Sequence, residues 1–204
     1  MKTLLLCVFA LFTGTVISQP AHALFEARLT YGLLGSKPDL GPLFSNASGL
    51  PTVAPTYGLG ADVIVSPPLF PVGFGLRYEN MGLSATSGIF EFKANYTRTA
   101  ILLNYRIIDT LMFLGPIFSY GVSHSGDIKA IQSGTETSSL SSNKISSYSA
   151  GIEAGAKLIG FHLGAELGYQ DFRWKDATDS RAAIANQDIN MSGTYAKILL
   201  GFGI

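Results

Sequence analysis

Eight segments of strict two-residue alternation predict an all-β chain, folded as an eight-stranded antiparallel up-and-down transmembrane β-barrel. Two further observations point the same way. The connections between segments alternate short and long, and the aromatic residues of the apolar face gather at its two ends.

The first segment sets Phe25, Ala27, Leu29, Tyr31 and Leu33 against Glu26, Arg28, Thr30 and Gly32. The second sets Tyr57, Leu59, Ala61, Val63 and Val65 against Gly58, Gly60 and Asp62. Val72, Phe74, Leu76 and Tyr78 oppose Gly73, Gly75, Arg77 and Glu79 in the third. In the fourth, Thr97, Thr99, Ile101, Leu103 and Tyr105 oppose Arg98, Ala100, Asn104 and Arg106. The fifth runs Leu114, Pro116, Phe118, Tyr120 and Val122 against Gly115, Ser119 and Gly121, with Ile117 an apolar exception. Pro116 has no N–H for the ladder and should mark a bulge or local distortion. The sixth alternates from Tyr148 to Leu158, the seventh from Phe161 to Gln170, and the eighth from Tyr195 to Ile204. Short connections at 66–71, 108–110 and 159–160 alternate with long polar ones near 36–56, 80–95, 123–147 and 171–194. The Ser-rich stretch of the third long one (Ser138 to Ser147) suits a mobile, solvated loop. That connectivity is a meander.

Composition narrows the function classes. The 204 residues are 47% hydrophobic and 14% charged, which excludes a disordered chain. Fourteen basic residues cancel fourteen acidic ones, so no basic footprint for nucleic acid exists. Residues 1–23 read as a cleaved secretory signal: Lys2, an apolar run from Leu4 to Phe12, then Ala21-His22-Ala23. Cleavage would leave residues 24–204 as the barrel domain, without the lone cysteine, Cys7.

Three features place the apolar face outward. Ionic residues sit mid-strand on the polar face: Glu26, Arg28, Asp62, Arg77, Arg98, Arg106, Glu153, Lys157, Glu166 and Lys197. Many glycines share that face and suit a narrow, filled lumen. On the apolar face Tyr31, Tyr57, Tyr78, Tyr120, Tyr148 and Tyr169 fall at the long-loop end. Phe25, Phe74, Tyr105, Phe161 and Phe202 fall at the short-turn end. Two aromatic belts around an aliphatic band mark two water interfaces. Last, the eighth segment runs on to Ile204, with Leu200 and Phe202 on the apolar face.

On these residues the chain resembles the small eight-stranded outer-membrane barrels of Gram-negative bacteria, of the OmpX group and the OmpA transmembrane domain. The resemblance covers residues 24–204 and rests on architecture. It implies an integral outer-membrane monomer in contact with lipid and lipopolysaccharide, long loops outside and both termini periplasmic. It also implies recognition by the barrel-assembly machinery through the C-terminal strand, although the terminus is Ile204 where such strands usually end in Phe. No cofactor is expected. The leading reading is a non-enzymatic barrel serving surface contact or ligand interaction. A small OmpW-like channel or carrier for hydrophobic molecules and a lipid A-modifying enzyme stay open, and a soluble lipocalin-like carrier is disfavoured by the belts.

Chemistry beyond this is sparse. His124 and His162 belong to no cluster with metal-ligand spacing. Ser123 and Ser125 are immediate neighbours of His124, on the opposite face of an extended strand, so Ser123–Asp127 reads as a polar loop base. Gly58-Leu59-Gly60 and Gly73-Phe74-Gly75 lie inside strands and are no nucleotide fingerprint. Trp174, between Arg173 and Lys175, reads either as a headgroup anchor or as a partly buried loop residue. A two-residue turn at Ile159-Gly160 would make cross-strand partners sum to 319, setting Glu153 opposite Glu166. Facing carboxylates about 5 Å apart repel by roughly 3 kcal/mol at an effective dielectric near 20. A charge-paired network drawing on Arg28, Arg77, Arg98, Arg106 and Lys197 should therefore span the lumen.

Overall fold

The structure, a computed structural model, describes residues 24–36, 52–54, 56–68, 70–179 and 187–204. The signal segment expected at 1–23 and parts of the first and last long connections lie outside the described residues.

Twelve strands occur among those residues. They are β1 (Phe25–Ser36), β2 (Thr52–Ala54), β3 (Thr56–Val65), β4 (Val72–Ser87), β5 (Phe90–Tyr105) and β6 (Ile108–Asp109). Next come β7 (Met112–Gln132), β8 (Thr135–Ser141), β9 (Lys144–Leu158), β10 (Phe161–Asp179), β11 (Gln187–Asn190) and β12 (Gly193–Gly203). Eight of them form an antiparallel ring in the order β1, β3, β4, β5, β7, β9, β10, β12. The ring closes where β12 returns to β1, from Glu26↔Gly203 to Ser36↔Gly193. Closure leaves no unpaired edge, which a wall in hydrocarbon requires. The short β2, β6, β8 and β11 are additions paired to β4, β7 and β10.

Alternation appears as burial with its sign reversed. Leu29, Leu59, Leu76, Ile101, Ile152, Leu163, Leu167 and Leu200 are exposed on the outer wall, while the polar residues between them are buried. A soluble barrel would bury the first set.

Two of the expected long loops prove to be hairpins. β4 continues to Ser87 and β5 begins at Phe90, so the connection expected over 80–95 is a turn at Gly88-Ile89. β7 continues to Gln132 and turns through Ser133-Gly134, both at positive φ, into β8. The Ser-rich segment is thus ordered strand rather than a solvated loop: Ser138 and Ser147 are buried, and the Ser138 hydroxyl donates to Asp179. β10 likewise carries on to Asp179. The physical reason lies in the solvent. Past the tyrosines period two persists, but the faces exchange character: on β4 the inward residues change from Arg77 and Glu79 to Met81 and Leu83.

Two irregularities matter for the lumen. Thr99 pairs with Ser123 and Ala100 with Gly121, leaving Val122 as a bulge in β7. The bulge moves every later residue of β7 to the other face. At Pro116 the β7 pairing stops at Asn104↔Ile117 and resumes at Ile108↔Leu114. Three residues then face two, the distortion a donor-less residue imposes.

Candidate functional site

Inward-pointing ions fill the lumen at membrane depth in two clusters. The one nearer the short turns joins Glu26, Arg28, Arg106 and Glu153 into a closed ring. Arg28 reaches Glu26 and Glu153 at 2.6 Å each, and Arg106 reaches the same two carboxylates at 2.7 and 3.3 Å. Asn104 donates to Glu153 (2.9 Å), and His162 Nδ1 lies 2.6 Å from Glu26. Asp109 completes it, paired with Arg106 and with Lys157. Three acids (Glu26, Asp109, Glu153) meet three bases (Arg28, Arg106, Lys157).

The second cluster is centred on Arg77. Its guanidinium forks onto Asp62 (2.8 Å twice) and onto Glu166 (2.9 and 2.7 Å). Lys197 bridges Glu166 and Glu79, and Arg98 donates to Glu79 (2.8 Å) and to the Ser119 hydroxyl (2.6 Å). Ser119 continues to Ser149, and the Tyr195 hydroxyl donates to Glu166 (2.7 Å). Here Asp62, Glu79 and Glu166 balance Arg77, Arg98 and Lys197. Ions withdrawn from water persist only when paired and hydrogen-bonded in this way.

The register sum of 319 holds along β9 and β10, with Glu153 opposite Glu166, Gly155 opposite Gly164 and Lys157 opposite His162. The two carboxylates belong to different clusters: Glu153 pairs with Arg28 and Arg106, Glu166 with Arg77 and Lys197. Their facing glycines make room for the packing. A Cβ at Gly155 or Gly164 would lie 2.5 or 2.6 Å from the Phe113 ring, and one at Gly151 or Gly168 would lie 2.7 Å from the Tyr195 hydroxyl. Phe113 in turn lies under the Arg106 guanidinium, 4.9 Å from its ring centre, a cation–π contact.

All ten lumen residues expected from sequence share this interior, with Lys157 at its more open, short-turn end. Glu79, Asn104, His162 and Tyr195 read from the sequence as polar-face positions but not as members of the charge network, and Asp109 was not read as inward at all. Glu79 and His162 were legible as inward positions two residues from Arg77 and opposite Lys157. Asp109 was hidden in a turn whose side-chain direction has no period.

Beyond the tyrosines the interior becomes apolar. Met81, Leu83, Phe92, Tyr96, Ile128, Leu140, Phe172, Trp174, Ile189 and Met191 pack together, with Tyr96 and Phe172 ring centres 4.5 Å apart. Trp174 is fully buried in this cluster, which corrects its reading as a headgroup anchor. Inward parity continues through Gln170 and Phe172 to Trp174, so only Arg173 and Lys175 face out. Ile117, the apolar exception of its segment, packs inward against Ile64 and Leu102.

The β7 bulge turns His124 inward, which corrects the polar loop base. Its Nε2 lies 2.8 Å from the Ser147 hydroxyl, and its ring meets Phe172 edge-on. Ser147 is itself buried beneath the apolar cluster, out of reach of an external substrate. Among the described residues no group of three His, Cys, Asp or Glu side chains is placed to hold a metal ion.

On the outer wall Tyr31, Tyr78, Tyr120, Tyr148 and Tyr169 are exposed at one end of the aliphatic band. Phe25, Phe74, Phe161 and Phe202 are exposed at the other, with Tyr105 half-buried. The Tyr57 side chain lies outside the described residues.

An apolar outer wall, paired ions within and a sheet closed on itself define the class: an outer-membrane type of transmembrane β-barrel. No family profile and no curated protein matches the sequence. Solved structures do share its fold. The outer membrane protein OprG from Pseudomonas aeruginosa is similar over 90% of this chain and 97% of its own, at 12% identity and a TM-score of 0.54. The outer membrane protease OmpT from Escherichia coli is similar over 89% of this chain and 94% of its own, at 10% identity and a TM-score of 0.51. Neisserial surface protein A aligns over 91% of this chain and all of its own, at 13% identity and a TM-score of 0.48.

Proposed function

We propose that this protein is a non-enzymatic, closed barrel of the outer membrane whose work is done by its outward-reaching strands and loops, through contact with lipopolysaccharide, a surface partner or a ligand. The observation that carries this reading is the double closure of the lumen. Two neutralised ion clusters fill it at membrane depth, and an apolar cluster fills it above. Eight strands enclose an interior only wide enough for side chains. Opening a conducting path would strand buried charges, at several kcal/mol each.

In this reading β7 and β10, at 21 and 19 residues, rise well past the membrane to present the extracellular surface. The termini and short turns lie on the periplasmic side, since an even number of strands returns them there. The barrel works as a monomer and is assembled through β12. Arg173 and Lys175, outward above Tyr169, suit the anionic groups of lipopolysaccharide.

Single-channel recording on the refolded protein tests the reading. The expected result is a flat trace, and regular conductance steps would favour the channel alternative. Unchanged lipid A mass spectra with and without the protein are expected, whereas a new deacylated species would make it an enzyme. An epitope at Ser141 should be labelled on intact cells and one at Gly160 should not.

A further inference from the structure

We infer that the short-turn end of the barrel is seated within the lipid of the inner leaflet, with its turns in the apolar layer rather than projecting into water. The inference rests on the membrane-barrel reading above and adds the depth at which the barrel sits.

The two ends of the wall treat their outward residues differently. At the long-loop end the outer face turns polar past the tyrosines on β4, β9 and β10, where Asn80 follows Tyr78, Ser146 lies beyond Tyr148, and Arg173 and Lys175 lie beyond Tyr169, all exposed. On β1 and β7 one more apolar residue, Leu33 or Val122, intervenes. At the short-turn end no such change occurs. Past the phenylalanines the outward residues are almost all apolar to the tips, with Phe70, Ile107, Leu111, Leu158 and Ile159 exposed and Thr110 the uncharged polar exception. Every charge in these turns points the other way. Arg106, Asp109 and Lys157 are turned inward and paired with one another.

The belts differ in kind as well. Tyrosine has a hydroxyl for the water interface, whereas phenylalanine, which dominates the lower belt, has none and suits hydrocarbon. Distance agrees. From Tyr169 to Phe161 is eight residues, about 26 Å along the strand and about 20 Å along the membrane normal at a usual tilt. That falls short of the roughly 25 Å apolar band of such barrels. Two more residues, to Ile159, bring it to about 25 Å. β9 gives the same span, ten residues from Tyr148 to Leu158.

Ile159 itself is the sharpest sign. It is 93% exposed and sits at φ +46°, where a β-branched side chain is strained and Asn or Gly would be at ease. A water-facing turn has no use for such a residue. Lipid supplies one. The backbone is also prepared for a dry setting, because a backbone hydrogen bond ties each turn to the neighbouring strand or turn. Ser66 N–H bonds Leu24, Arg106 N–H bonds Pro71, Lys157 N–H bonds Leu111, and Gly203 N–H bonds Gly160. Buried or lipid-facing backbone must be satisfied internally.

Nitroxide labels on single cysteines, introduced at Ile159, Leu111, Ile152 and Ser141 in a Cys7→Ser background, test this. The protein is refolded in phosphatidylethanolamine/phosphatidylglycerol vesicles, and relaxation by oxygen is compared with relaxation by a water-soluble nickel chelate. The oxygen-to-nickel ratio at Ile159 and Leu111 should match that at Ile152, several-fold above that at Ser141. A water-like ratio at Ile159 beside a lipid-like one at Ile152 overturns the inference alone, and shielding of that label only in native outer membranes would assign the end to a protein partner. A water-like Ile152 would overturn the membrane reading itself. Independently, Ile159→Asn relieves the backbone strain, so it should raise the folded fraction if the turn is wet. We expect it to lower that fraction in the same vesicles, and a rise overturns the inference.

Discussion

Below the tyrosine belt the barrel is apolar outside and ionic inside; above it the same strands are polar outside and apolar inside. β5 shows the exchange in one strand, with inward Phe92, Ala94 and Tyr96 above and Arg98 below. Its outward face passes from Lys93 and Asn95 to Ile101 and Leu103. Backbone geometry is common to both regions, so the surrounding solvent alone decides which face is greasy. The two interiors also differ in how they hold. The lower one depends on directional, mutually compensating bonds, and the upper one on dispersion and exclusion of water.

That difference predicts unequal tolerance to substitution, and Arg77 should break the lower region hardest. Arg77→Met leaves Asp62 and Glu166 without their shared cation. Removing one partner of a buried pair costs about 3–5 kcal/mol. Urea titration of folding in lipid vesicles should show a loss of that size, and a loss no greater than that of a surface substitution would mean the lumen is wet. The outer wall gives the next largest effect. Ile152→Arg sends a cation into hydrocarbon at roughly 2–4 kcal/mol, whereas Ser141→Arg, on the exposed upper hairpin, should change the same titration hardly at all.

The lower region was legible because its alternation runs nearly unbroken, with the distortion at Pro116 and the inward apolar Ile64, Leu102 and Ile117 as its exceptions. All eight membrane-crossing strands, the 319 register and the ten lumen ions follow from counting by two. The upper region was opaque for a physical reason. At Met81, Phe92 and Phe172 the phase of the apolar residues inverts, so continued strand reads as the end of a pattern. A bulge such as Val122 defeats counting altogether, because the extra residue is specified by pairing with β5 rather than by its own side chain. His124 therefore points at Ser147 with nothing in its neighbourhood of sequence to announce it.

Glycine notches test whether the lower region is also packed to contact. Gly164→Ala would place a methyl 2.6 Å from both the Ala154 carbonyl oxygen and the Phe113 ring. Phe113 sits beneath Arg106 and Arg28, so displacing it disturbs the ring of ions around Glu153. Overpacking of this kind costs about 1–3 kcal/mol. The same substitution at Gly134, in an open turn at φ +81°, would act through backbone strain and leave the ion clusters alone. A shift in the Phe113 ring signals on magnetic resonance for Gly164→Ala only would separate the two causes.

Among the buried positions the smallest effect should come from the centre of the upper region. Trp174 is its largest fully buried side chain, yet its Nε1–H has no hydrogen-bond partner among the described residues. Trp174→Phe deletes that costly donor along with part of the ring. Lost contact area and a small cavity weaken the packing, while removal of an unsatisfied donor offsets this by about 1–3 kcal/mol. The remaining neighbours, Phe172 and Met191 among them, are apolar, and Met191 is flexible enough to follow the smaller ring. The net loss in the vesicle titration should therefore stay below about 1.5 kcal/mol. A loss as large as that of Arg77→Met would show that an acceptor holds the indole, and that the upper region depends on a directional bond just as the lower one does.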